Sequence, residues 1–120
     1  MKWQAKITEV GSEVIDLMEE SHMFDLVAEG KWEDLRDYTV YFKGDFPDQP
    51  IKEDDIISIG STELVVVAMG EHFNDHLRDH GVCTVEISTG IVPGSPCSVI
   101  LDGIYEDYGF LKKGADIYVA

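Results

Sequence analysis

Three of the four histidines of this 120-residue chain lie in one short stretch, at His72, His76 and His80. The composition between Asp75 and His80 predicts a helix, and the flanking Gly70 and Gly81 separate it from strand-like sequence on either side. A spacing of four residues places the three rings along one helix face. No other part of the sequence concentrates groups that could accept a phosphoryl group or bind a metal.

A neutral imidazole nitrogen is a good nucleophile toward phosphorus, and the resulting phosphoramidate has a high transfer potential. This chemistry requires one accessible ring nitrogen, a carbonyl or carboxylate that orients the other nitrogen, and donors for the phosphoryl oxygens. His72, His76 and His80 are all candidates by sequence. His22 is isolated in the sequence and is the weaker candidate.

Two other interpretations of the histidine stretch stay open. Two histidines four residues apart can chelate zinc, and Asp75 or Asp79 could orient one of the rings. The established zinc motif also needs a glutamate base and a third, distant ligand, which this stretch does not supply. Alternatively, the histidines are ordinary polar residues on the exposed face of an acidic helix.

Further catalytic or cofactor motifs are not found in the sequence. The acidic loop from Asp45 to Asp55 lacks the alternating ligands and central glycine of a calcium-binding EF-hand. The patterns GxSxG, GxxxxGK[ST] and GxGxxG do not occur. We therefore predict no cofactor and no metal site.

The charge balance restricts the class of partner. Twenty-four acidic residues stand against nine basic ones, giving a formal net charge of −15. A field of this sign repels nucleic-acid phosphates and anionic lipid, so neither is an expected partner. The negative charge favours binding to a basic patch on a partner protein, or it simply keeps the protein highly soluble.

The compartment follows from the termini, the apolar runs and the two cysteines. Residues 1–6 lead into no apolar segment typical of a secretion signal, and no run approaches the ~20 apolar residues needed to span a bilayer. Cys83 and Cys97 form no metal-binding pattern, and their apolar, strand-like surroundings are typical of free cysteines that act as small hydrophobic residues. Nothing in the sequence calls for a disulfide between them. We expect a cytoplasmic protein with no insertion into the membrane.

The order of predicted elements gives the fold class. Trp3, Ala5 and Ile7 alternate with polar residues, as in a strand, and an apolar stripe after Ser12 predicts a first helix. A short helical piece is expected from Lys31 to Asp37, with Trp32 and Leu35 on one face. Gly60-Ser61 is expected to close a tight hairpin. Further strands are predicted at Met23–Ala28, Tyr38–Lys43, Ile56–Ile59, Glu63–Met69, Cys83–Ser88, Ser98–Leu101 and Asp116–Val119.

Many short strands and one or two short helices predict a mainly β protein, a small closed or partly open β-barrel. Because the chain shows no internal linker and no clear repeat, we expect residues 1–120 to form a single domain.

Several segments, in this order and spacing, resemble one bacterial family. They are Ile7-Thr8-Glu9-Val10-Gly11, Asp34-Leu35-Arg36-Asp37-Tyr38, Ile59-Gly60 with Val65-Val66-Val67-Ala68-Met69-Gly70, His76-Leu77-Arg78-Asp79-His80-Gly81 with Thr84-Val85, Pro96-Cys97-Ser98-Val99-Ile100-Leu101, and Leu111 with Gly114 and Ile117. The family is the glucitol/sorbitol-specific IIA component of the phosphoenolpyruvate-dependent sugar phosphotransferase system. The resemblance runs through nearly the whole chain.

The resemblance implies a small β-barrel that receives a phosphoryl group from the histidine phosphocarrier protein. It would pass the group to a cysteine on the IIB domain of a sugar permease, whose IIC component is the membrane partner. In the family, the acceptor histidine lies in the segment that here reads Tyr41 to Phe46, with Phe42 and Gly44 and no histidine. A second family histidine corresponds to Val82.

Two hypotheses follow from the absence of histidine at these two family positions. In the first, the chain is a phosphohistidine-sugar phosphotransferase component in which His72, His76 or His80 has replaced the acceptor. In the second, the chain is a non-catalytic relative that binds or regulates a partner.

Overall fold

The computed structural model describes residues 2–31 and 33–120, in which eight strands form a closed barrel flanked by two α-helices. This confirms the predicted mainly β barrel with short helices. The elements are β1 Trp3–Val10, α1 Val14–Ser21, β2 Met23–Ala28, a 3₁₀ helix Glu33–Tyr38, β3 Thr39–Gly44, β4 Ile56–Ile59, β5 Thr62–Met69, α2 Phe73–His80, β6 Val82–Ile87, β7 Ser98–Asp102 and β8 Asp116–Val119. The 3₁₀ helix corresponds to the predicted helical piece, of which Trp32 lies outside the described residues.

The strands follow the order β1-β3-β2-β6-β7-β5-β4-β8 around the barrel. Two neighbouring pairs, β2 with β3 and β6 with β7, are parallel. The other pairs are antiparallel, including the β4–β5 hairpin closed by Gly60 and Ser61. That hairpin confirms the turn predicted from the sequence.

The barrel interior is filled by the inward side chains of the alternating strands. Trp3, Ala5 and Ile7 of β1 are buried, whereas Gln4 and Lys6 between them are exposed. Each helix adds two fully buried side chains to this core. They are Val14 and Met18 from α1, and Phe73 and Leu77 from α2.

The barrel consists of two equivalent halves related by an internal two-fold axis. The elements β1-α1-β2-β3-β4 in the first half correspond to β5-α2-β6-β7-β8 in the second. Exchanging the halves reproduces the same cyclic strand order, with parallel pairs and bulges at equivalent places.

Backbone hydrogen bonds repeat between the halves with a constant shift of residue number, 59 over most of each half. Gly11 N donates to Thr39 O, as Gly70 N does to Ser98 O. Four further bonds form two such pairs. Ala28 N donates to Gly81 O, as Ile87 N does to His22 O. Glu29 N donates to Phe42 O, as Ser88 N does to Leu101 O.

The structure therefore contains a repeat that the sequence analysis did not find. Equivalent positions need only the same burial and the same backbone conformation, so their side chains differ freely. Val14 corresponds to Phe73, and Met18 to Leu77, for example. Gly11 and Gly70 are identical because a Cβ at either would lie within 2.4 Å of a backbone carbonyl oxygen.

Candidate functional site

Helix α2 positions the central histidine of the stretch. Its apolar residues Phe73 and Leu77 are buried against the barrel, so the intervening His76 is held half-buried at the helix edge. The helix ends at His80, where Gly81 adopts the left-handed conformation and its N–H donates to Leu77 O at 2.9 Å. The chain then enters β6 directly at Val82.

The His76 ring is oriented by a backbone carbonyl. Its Nδ1 lies 2.8 Å from the carbonyl oxygen of Val82. Because a carbonyl oxygen can only accept a hydrogen bond, Nδ1 carries the proton and donates it. The lone pair of Nε2 is therefore left for another group, the arrangement that a nucleophilic imidazole requires.

His80 and Lys31 complete the surroundings of His76. The ring centroids of His76 and His80 are 4.9 Å apart. Together with Lys31 and Val82, these two histidines line an open pocket of about 250 Å³. The residues that line the pocket thus include two histidines and one lysine.

The third predicted residue, His72, lies away from this pocket. It precedes the first turn of α2, is largely exposed, and has Nε2 3.4 Å from Glu71 Oε1. The structure therefore brings together only two of the three histidines. His22 follows α1 at the opposite end of the barrel, with Nδ1 3.1 Å from the Tyr108 hydroxyl.

The two positions that resemble the family's acceptor segment contain no reactive group. Phe42 is fully buried and makes edge-to-face contacts with Trp3 and Phe46, at ring centroid distances of 5.4 and 6.3 Å. Gly44 ends β3, with its Cα close to Ala5 of β1.

These positions lie at the same end of the barrel as His76. Ala28, the last residue of β2, pairs with Phe42 on one side, and on the other its N–H donates to Gly81 O at 2.7 Å. A Cβ on Gly81 would lie 3.2 Å from the Phe46 ring. Val82, where the resemblance implies the second family histidine, provides the carbonyl that orients His76.

Within residues 2–31 and 33–120, no group of three or more His, Cys, Asp or Glu side chains could hold a metal ion. Across the same residues, no helix has both the length and the apolar character that a membrane span requires.

Sequence comparison identifies the family. Residues 2–117 match the family model described as the PTS system glucitol/sorbitol-specific IIA component. The chain belongs to this family. A comparison with curated proteins gives no match.

A solved structure supports the fold independently. The PTS system IIA component from Enterococcus faecalis V583 superimposes with a TM-score of 0.78. The two chains share 22% sequence identity, and the similarity covers 98% of each. At this identity the comparison establishes the fold that both chains share.

Two features of the surroundings of His76 were missed by sequence reasoning. The Val82 carbonyl is a backbone group, which has no signature in a sequence. Lys31 lies far from His76 along the chain and reaches the pocket because β2, which precedes it, pairs with β6, which follows α2. Only the strand order could have indicated it.

Proposed function

We propose that this IIA-family chain relays a phosphoryl group, with His76 as the acceptor. The donor is the histidine phosphocarrier protein, and the recipient is a cysteine of a sugar-permease IIB domain. The observation that carries the proposal is the Nδ1 hydrogen bond to Val82 O, which fixes the tautomer and leaves Nε2 as the nucleophile.

The first transfer is a substitution at phosphorus. The Nε2 lone pair of His76 attacks the phosphorus of the donor's phosphohistidine, the new N–P bond forms, and the donor imidazole leaves with the electron pair of the old bond. Positive charge develops on the His76 ring as this happens. The Val82 carbonyl stabilises that charge through Nδ1–H, because hydrogen bonds to charged donors are stronger than neutral ones.

The second transfer reverses the roles. A cysteine thiolate of the IIB domain attacks the same phosphorus, the S–P bond forms, and His76 leaves as a neutral imidazole with its proton still on Nδ1. No oxidant, reductant or metal enters either step.

Lys31 provides the positive charge that the phosphoryl oxygens need. The chain as a whole repels phosphate, with a net charge of −15. A local cation at the pocket therefore matters more here than in a neutral protein. Lys31 is the ammonium group that lines the pocket together with His76.

Phosphorylation with purified components tests the proposal. The chain is incubated with labelled phosphoenolpyruvate, enzyme I and the histidine phosphocarrier protein, and acid-labile, alkali-stable phosphate is measured. We expect label on the wild type and at least about a hundredfold slower labelling of His76→Gln. Nitrogen NMR of the labelled protein should place the phosphorus on Nε2.

His72→Gln is the matched control, since it removes an exposed imidazole of the same helix outside the pocket. It should label at the wild-type rate. Full labelling of His76→Gln would refute the assignment to this residue. A wild type that takes up no label would favour the non-catalytic alternative, a relative that binds or regulates a partner.

A further inference from the structure

An open groove of about 470 Å³ lies beside the β4–β5 hairpin, at the end of the barrel opposite His76. Its walls include Ile56, Val65 and Ile104, whose exposed fractions are 46%, 38% and 99%. Glu63 and Asp102 add two carboxylates. Of the described residues that line the groove, none is basic, and neither carboxylate forms an ion pair within the described part of the chain.

Comparing the groove with the equivalent positions in the other half shows whether the fold itself requires these residues. Val65 pairs with Asp102 in the second half as Lys6 pairs with Lys43 in the first. The Ile56–Val65 pair corresponds to Asp116 and Lys6, which form an ion pair of 3.1 Å.

The same comparison applies to the fully exposed Ile104. Gly44 lies against β1 as Gly103 lies against β5, so the two glycines are equivalent. Ile104, which follows Gly103, therefore corresponds to Asp45, which follows Gly44. At three positions of the groove, the other half thus carries a charged residue where the groove has an aliphatic one: Asp116 for Ile56, Lys6 for Val65 and Asp45 for Ile104. Since equivalent backbone tolerates charge, the barrel does not need apolar side chains at the groove.

Exposed apolar side chains that folding does not require mark an interaction surface. The carboxylates decide the chemistry of the occupant, because a partner that covers Glu63 and Asp102 must neutralise them. We propose that this groove binds a partner protein through a segment that combines aliphatic side chains with arginine or lysine.

The groove and the His76 pocket lie at opposite ends of β5. Thr62 begins the strand beside the groove, and Met69 ends it just before α2. At ~3.3 Å per residue, the strand separates them by about 23 Å. The groove and the His76 pocket share no lining residue, and the inference does not depend on phosphoryl transfer.

Amide NMR with a defined probe tests the groove. The full chain is titrated with a short, end-blocked peptide of alternating leucine and arginine. We expect the largest shifts at residues 62–65 and 102–104, and weaker binding as salt rises. The corresponding leucine–glutamate peptide should leave these amides unshifted.

Two variants and two matched controls locate the site. Ile104→Ser should weaken peptide binding about tenfold, and Glu63→Gln about threefold. Ile91→Ser removes an exposed aliphatic side chain elsewhere, and Glu53→Gln removes the same charge outside the groove, so both should bind like the wild type. Because Ile104 is 99% exposed, its replacement should not alter the fold.

Three results would overturn the proposal. Shifts spread evenly over the acidic surface would indicate attraction to net charge alone. Equal weakening by Glu53→Gln and Glu63→Gln would lead to the same conclusion. Shifts of residues 62–65 and 102–104 with protein concentration, in the absence of peptide, would assign the groove to a second copy of the chain.

Discussion

The imidazole of His76 shows how packing distinguishes one histidine from its neighbours in the sequence. His72, His76 and His80 are equivalent in the sequence pattern, yet of the three only His76 both lines the pocket and has a carbonyl acceptor for Nδ1. The difference arises from the two buried residues of α2, Phe73 and Leu77, which turn His76 toward β6. Chemistry at this scale depends on orientation as much as on residue type.

Glu29 provides a test of electrostatics at the residue scale. Hydrogen bonds from the Thr8 hydroxyl and the Arg36 guanidinium lower the pKa of its carboxyl below the ordinary value of 4.5. A lowered folded-state pKa stabilises the protein above about pH 4.5, and this contribution disappears as pH falls through the folded-state pKa. Glu29→Gln should therefore unfold more easily at neutral pH, by about 0.2–1 kcal/mol, because the site is partly exposed.

The measurement is urea unfolding of both proteins from pH 7 down to pH 3. The two stability curves should converge at the acid end. Glu53→Gln, which removes an exposed carboxylate elsewhere, serves as the control. A Glu29→Gln deficit that stays constant across this pH range would show that the charge of Glu29 is not the cause.

At the scale of elements, the loop between β3 and β4 is attached to α2 by one side chain. The Asn74 amide accepts from Ile51 N at 2.8 Å and donates to Ile51 O at 2.9 Å. Ile51 itself is buried in the core. The paired bonds imitate a strand contact and hold the loop that carries Phe46 against the end of the barrel.

Replacement of Asn74 should release this loop. Asn74→Ala leaves the Ile51 amide and carbonyl without partners, so we expect a loss of about 1–3 kcal/mol in the free energy of unfolding. Hydrogen exchange should show the Ile51 amide losing protection before the barrel strands do. Gln49→Ala, in the exposed part of the same loop, should change neither measurement. An unchanged Ile51 amide in Asn74→Ala would contradict the role of the paired Asn74–Ile51 hydrogen bonds.

The equivalent glycines test the internal symmetry at the same scale. A Cβ at Gly11 would lie 2.3 Å from Asp37 O, and one at Gly70 would lie 2.2 Å from Pro96 O. Both obstacles are backbone atoms, which cannot rotate away. We expect Gly11→Ala and Gly70→Ala each to lower the melting temperature by several degrees, with similar size. A large effect at only one of the two would show that the halves differ in packing at these turns.

The whole molecule is an interlocked pair of similar units. Within each half, one parallel and one antiparallel strand pair form, whereas β2 with β6, β4 with β5, β4 with β8 and β1 with β8 join the halves. Neither half can close a barrel alone, so each would expose unpaired strand edges and its apolar face.

Fragment complementation tests this arrangement. Residues 1–60 and 61–120, separated at the exposed β4–β5 turn, should each remain unfolded alone and fold when combined. Circular dichroism and gel filtration distinguish the separate fragments from a one-to-one complex. A stable fold of either fragment alone would show that the unit of folding is the half, and not the complete barrel.

The local sequence was sufficient to define most elements. The strands Met23–Ala28, Ile56–Ile59 and Asp116–Val119 have the predicted limits, and Gly60-Ser61 forms the predicted turn. Alternation of apolar and polar residues and the glycine positions are local properties, and they reflect which side of a strand is buried. The family resemblance that the sequence analysis drew from other short segments is confirmed over residues 2–117.

The three-dimensional structure decided what depends on contacts between distant parts of the chain. Pairing of β2 with β6 brings Lys31 to His76, a backbone carbonyl selects the ring nitrogen, and the two-fold axis relates halves whose side chains have diverged. The physical reason is that burial requires only an apolar side chain of suitable size, while strand order and backbone hydrogen bonds depend on the whole barrel closing at once.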